Sequence, residues 1–155
     1  MQGYDYTADQ LPMLIALGYF PEQPKPESLV IRDFLVNQGA TYDRFSFSVR
    51  VGTPIQPDPT HLPAVQAGGV QSSLKRIDLL AWTGKQVTIV EAKIRISVAA
   101  IGQVLMYREL FVQEMPDVPE PRLVVIGRSG DPDVLSTHSA QGIDVYLYAD
   151  APAGG

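Results

Sequence analysis

Hydrophobic positions change period several times along the chain, and each change marks an element. Leu29, Val30, Ile31, Phe34 and Leu35 recur at helical spacing, with Gly39 where a C-cap glycine belongs, so a helix is predicted over 27–38. From Tyr42 to Val51 the pattern alternates. Phe45, Phe47, Val49 and Val51 fall on one side and Arg44, Ser46, Ser48 and Arg50 on the other, as in a half-buried strand. Lys75–Trp82 and Gln86–Lys93 read as two further strands about a Thr83-Gly84 turn. Ser97 is placed to cap a helix running to about Glu114, with Pro116 beyond its end. RLVVIG at 122–127 has the unbroken apolar character of a strand covered on both faces. Asp131–Ala140 reads as a short helix or turn, and Ile143–Tyr148 as a last strand.

The remaining segments are punctuated rather than periodic. Thr7 can cap a helix through about Gly18, against the presence of Pro12, and PEQPKP at 21–26 reads as a stiff connector. Residues 52–72 carry four prolines and a Gly-Gly pair with no sustained period, the mark of a functional or mobile loop. APAGG reads as a tail. A strand–helix–strand unit among meandering strands predicts an α/β fold with a mixed sheet of about five strands flanked by helices. The expected division is an N-terminal helix and connector over 1–26, one domain over 27–148 and a tail over 149–155.

Composition narrows the chemistry. The 155 residues contain no cysteine, which removes disulfides, thiolate metal sites and cysteine nucleophiles. The first twenty residues lack a basic n-region, and no apolar run is long enough to span a bilayer, so a cytoplasmic protein without a membrane partner is expected. The net charge of −5 argues against nucleic acid, but its distribution does not. Six basic residues between Lys75 and Arg108 face only Asp78 and Glu91, while the rest of the chain is acidic.

Those two acids are the informative ones. Asp78 interrupts the apolar run Ile77-Leu79-Leu80, and Glu91 closes the best central strand two residues before Lys93, on the same side of it. A hairpin through Thr83-Gly84 lets Asp78 approach Glu91. Two half-buried carboxylates repel unless a cation joins them, and Mg²⁺ accepts one or two carboxylates while leaving room for water and phosphate. Lys93 adds a compact charge able to orient water and stabilise a developing phosphate charge. Gln103 and Tyr107 share one face of the next helix. His61 and His138 lack spaced partners and read as surface residues. Ser97 is explained by capping, Gly127-Arg-Ser-Gly130 as a plain turn, and Trp82 by sheet packing.

Asp78, Glu91-Ala92-Lys93 at a strand end, and Gln103 on the following helix together resemble the PD-(D/E)XK, or restriction-endonuclease-like, nuclease superfamily. Gln103-Val-Leu-Met-Tyr107 is similar to the Q-x-x-x-Y element of recombination-helicase exonuclease domains. The helix from Glu27, followed by QGATYDRFSFSVRVG, is similar to the nuclease domains of type I restriction motor subunits. Ile77 stands where the motif has proline. The resemblance implies a three-layer nuclease core and metal-dependent hydrolysis of DNA phosphodiesters. It implies Mg²⁺ or Mn²⁺ on Asp78, Glu91 and the Ala92 carbonyl, and catalytic roles for Lys93, Gln103, Tyr107 and Glu27, with Asp33 a weaker candidate. Lys75, Arg76 and Arg95 are the expected nucleic-acid contacts, and concerted cutting of two strands leaves a homodimer open. The rival expectation is a nuclease-fold protein that binds or assembles without turnover.

Overall fold

The computed structural model describes residues 1–54, 59–66 and 74–150. Much of the expected 52–72 loop and the APAGG tail lie outside them. Strand β1 (Gln2–Thr7) leads through a 3₁₀ turn to α1 (Leu11–Leu17) and then α2 (Lys25–Gln38). β2 (Arg44–Val51), β3 (Lys75–Thr83), β4 (Gln86–Ala92) and the two-residue β5 (Arg95–Ile96) precede α3 (Val98–Glu114). β6 (Arg122–Gly127), the short β7 (Ser129–Gly130), α4 (Pro132–Ala140) and β8 (Ile143–Leu147) complete the order.

The main sheet has six strands in the order β1-β2-β3-β4-β6-β8. The pairings β1–β2, β2–β3 and β3–β4 are antiparallel, whereas β4–β6 and β6–β8 are parallel. Parallel neighbours need a crossover, and α3 and α4 supply the two. Helices pack on both faces and separate two cores. On one side α2 and Leu14 of α1 cover Phe45, Phe47, Leu79, Ala81, Val90, Val124 and Ile126. On the other, Ala100, Val104, Tyr107 and Phe111 of α3 cover Leu80, Trp82, Val87, Ile89, Leu123 and Val125. β6 feeds both cores alternately, as its unbroken apolar run predicts. Among the described residues no helix is long and apolar enough to cross a membrane.

The structure corrects several expectations. Gln2–Thr7 form an edge strand that the pattern did not predict, ahead of the expected helix. QGYDYT is almost wholly exposed, so it carries little hydrophobic signal, and pairing with β2 holds it. Thr7 precedes the 3₁₀ turn, its N–H donating to Gln10 Oε1 at 2.9 Å, and Pro12 sits harmlessly in the first turn of α1. Helix α2 begins two residues early, because Pro26 also fits a first helical turn. Gly39 ends α2 in a right-handed conformation. A side chain there would press on Leu11, 3.0 Å from the Cβ position, so close packing rather than a left-handed cap requires the glycine. His138 is fully buried rather than at the surface, its Nδ1 2.8 Å from the Val134 carbonyl oxygen one turn back on α4. Gly127–Gly130 is not a plain turn, because β7 pairs with β5 there.

The most consequential correction concerns β2. Strict alternation would put Phe45, Phe47, Val49 and Val51 on one face. Phe45 and Phe47 do join the α2-side core, but Val49 and Val51 join the α3-side core. The switch falls at Ser48, whose φ of 52° is left-handed.

Candidate functional site

The same switch builds the site. Phe47 pairs with Leu79 and Val49 with Ile77, so Ser48 lies opposite Asp78. β3 changes face there too, with Leu79 in the α2-side core and Ile77 in the α3-side core. Pairing of β3 with β4 runs from Thr83↔Gln86 to Leu79↔Val90 and stops before Asp78 and Glu91. β4 continues along β6, through Ala92↔Ile126 and a bond from the Lys93 N–H to the Ile126 carbonyl at 2.9 Å. The hairpin therefore splays at one end, and the Asp78 side chain enters the gap. Its Oδ2 accepts the Ala92 N–H at 2.9 Å, a donor that the interrupted ladder leaves free.

A residue that sequence reasoning missed completes this anchor. Gln23, buried in the connector between α1 and α2, donates from Nε2 to Asp78 Oδ1 at 2.7 Å. Glu22 beside it is left-handed, with φ of 61°, and its carbonyl accepts from Arg76 while its carboxylate pairs with Arg50. Ser48 Oγ donates to the Pro21 carbonyl at 2.5 Å. Among the described residues, Glu22 and Ser48 are the non-glycine positions with positive φ, and both brace the ground around Asp78. Such conformations cost about 1–3 kcal/mol each and persist only where surrounding bonds enforce them. The connector is thus bolted to β2 and β3. The only signal for it was its rigidity, which says nothing about where Gln23 points.

Glu91 continues the α3-facing row of Val87 and Ile89, with 4% of its surface exposed. Lys93 Nζ lies 3.4 Å from Glu91 Oε1, and Glu91 Oε2 is buried without a hydrogen-bond partner. Burial pushes the Glu91 carboxyl up from 4.5 to about 8, and the neighbouring Asp78 adds to that while Lys93 opposes it. Asp78 and Glu91 thus meet, as their strands predicted. Gly127 holds the Lys93 backbone close, because a Cβ there would stand 2.8 Å from the Lys93 carbonyl oxygen.

Tyr107 on α3 is buried within reach of the charge of both acids. Burial first, then Glu91 and Asp78, hold its phenol far above the usual range, so it stays a hydrogen-bond donor. Gln103, one turn earlier on α3, has a buried Oε1 without a partner. Glu27 lies in the first turn of α2, directly after the connector, and its Oε2 is likewise buried and unpartnered. Asp33 is committed elsewhere, pairing with Arg128 near β8. Of the expected nucleic-acid contacts, Lys75 and Arg95 are exposed. Arg76 is instead half-buried, bonded to the Glu22 carbonyl at 2.7 Å and 3.9 Å from Asp78 Oδ1.

No protein-family model, curated protein or solved structure matches the chain. The chemistry therefore rests on the site's own residues. Among the described residues no group of three or more His, Cys, Asp or Glu side chains forms a metal cage. The donor set is nonetheless one that a hard cation suits: two adjoining carboxylates, with a buried oxygen of Glu91 that lacks any donor.

Proposed function

We propose that this chain is a divalent-metal-dependent nuclease with a restriction-endonuclease-like core, hydrolysing DNA phosphodiester bonds. One observation carries the reading. At the splayed end of the β3–β4 hairpin two buried carboxylates adjoin, an ammonium touches one of them, and an acid oxygen lacks a donor. Packing alone gives no reason for that combination, since burying charged groups and an acid oxygen without a donor costs stability.

Asp78, Glu91 and the Ala92 carbonyl would hold Mg²⁺ or Mn²⁺, which when bound supplies Lewis-acid polarisation of the phosphate and a more acidic water. Lys93 orients the attacking water and stabilises the negative charge that builds on the phosphoryl oxygens as the P–O bond breaks. From α3, the Tyr107 hydroxyl and the Gln103 amide would add hydrogen-bond donors toward this charge. Glu27, from the α2 side, is available to a second ion. Lys75 offers a phosphate contact, as exposed cations do.

The rival reading is a binding protein of the same fold without turnover. Both Asp78 oxygens already accept hydrogen bonds, from Gln23 and Ala92, and that favours it. Labelled linear, circular, single-stranded and branched DNA, incubated with Mg²⁺, Mn²⁺ or EDTA, separates the two. Cleavage that EDTA abolishes supports the nuclease. Salt-sensitive binding without cleavage supports the rival. Neither cleavage nor binding removes both.

A further inference from the structure

We propose that the outer face of α3 is a homodimer interface, in which two copies cross antiparallel at Gly102. The observation is independent of the reaction proposed above. α3 buries Ala100, Val104, Tyr107 and Phe111 against the sheet, which leaves the opposite side of the helix outward. That outward side carries Val98, Ala99, Gly102 and Met106, flanked by Leu105, with no charge between Ser97 and Arg108. Val98 is 65% exposed and Met106 38%. A helix apolar on both sides is one whose second side is meant to be covered.

Gly102 is the second, separate sign. It stands in the interior of a seventeen-residue helix, and a Cβ built on it meets nothing within 4 Å. Glycine there costs roughly 1 kcal/mol against alanine, and nothing among the described residues offsets it. Close approach of a neighbouring helix does repay it.

The sequence around Gly102 says which neighbour. An antiparallel second copy centred on this residue brings Val98 to the partner's Met106 and Ala99 to the partner's Leu105, each contact occurring twice. Such self-complementarity is what a two-fold interface demands of one surface. Charge agrees with it. Arg95, exposed just ahead of the helix, makes no ion pair among the described residues and falls toward the partner's Glu109, also exposed. The two helix dipoles then oppose, which is favourable. A few turns of one helix bury less than a permanent dimer needs, so association is expected in the micromolar range or weaker.

Sedimentation equilibrium of the full chain over micromolar to millimolar concentrations tests this. The wild type should shift from monomer to dimer, never beyond. Gly102→Gln should abolish the shift, and because its side chain enters open space the monomer should melt no lower than wild type. Met106→Glu should weaken association at least tenfold. Arg95→Glu should weaken it less, and adding Glu109→Arg should restore it. A wild type that stays monomeric throughout, or a dimer indifferent to both Gly102→Gln and Met106→Glu, overturns the proposal.

Discussion

The two ends of the β3–β4 hairpin are made from the same strands and differ in kind. At the turn end, Thr83↔Gln86 through Leu79↔Val90 pair in unbroken register. Trp82 packs against Phe111 with Arg44 stacked 4.3 Å over its ring, and Val87 and Ile89 fill the α3-side core. At the other end pairing stops, two strands change face, and two acids are buried with a half-exposed lysine against one of them. The first end is ordered by area removed from water. The second is held against its own electrostatics by bonds from the connector and β4. Ile89 and Glu91 sharpen the contrast, since they share a strand and a face and lie two residues apart.

The largest expected effect comes from the closed end. Ile89→Ala empties a fully buried position and should cost about 2–5 kcal/mol in denaturant unfolding. A loss under about 1 kcal/mol would mean that this half is not the stabilising one. At the open end Lys93→Ala should leave the fold intact by circular dichroism yet reduce turnover on the order of 10²–10³-fold, as loss of a charge-stabilising donor does. Divalent-ion affinity should change far less. A folded variant that cleaves DNA at the wild-type rate would refute the role given to Lys93.

Gln23→Leu probes the anchor without altering either acid. It removes the 2.7 Å bond to Asp78 and should cost about 1–3 kcal/mol. It should also weaken Mn²⁺ binding, measured by calorimetry, several-fold, with Gln23→Asn restoring part of it. Unchanged stability and affinity would reduce Gln23 to a bystander.

The smallest effect is a slope. Glu91 is raised to about 8 in the folded chain from an ordinary 4.5, so between those values the folded state keeps a proton that the unfolded state releases. Its contribution is whole below 4.5 and is lost as pH rises through about 8. Without divalent ions, the melting temperature of wild type relative to Glu91→Gln should therefore fall across that window. Mn²⁺ should reduce the fall, because a bound cation favours the ionised carboxyl. Parallel profiles for the two proteins would place the proton elsewhere.

Much of this was legible in the residues. β3, β4, α3 and β6 follow from apolar period and turn residues, which are local properties. Asp78, Glu91 and Lys93 stood out because charge inside an apolar strand is costly wherever the strand lies. The N-terminal strand was not legible, since an exposed edge bearing two tyrosines owes its conformation to the β2 backbone rather than to its own sequence. His138 was misread because a lone histidine looks alike on either face of a short helix.

The sequence by itself determined α2, α3 and the strands β2, β3, β4, β6 and β8, and it set one acid inside β3 and an acid and a lysine about the end of β4. Side-chain alternation and helical period act over a few residues, and that is the range a single sequence states plainly. Tertiary structure alone decided that β2 and β3 change face at Ser48 and Asp78. The left-handed Ser48 is braced by the Pro21 carbonyl, and Asp78 by Gln23, 55 residues distant in the chain. A backbone that departs from regular period is paid for by contacts from elsewhere, and no local pattern records where they come from.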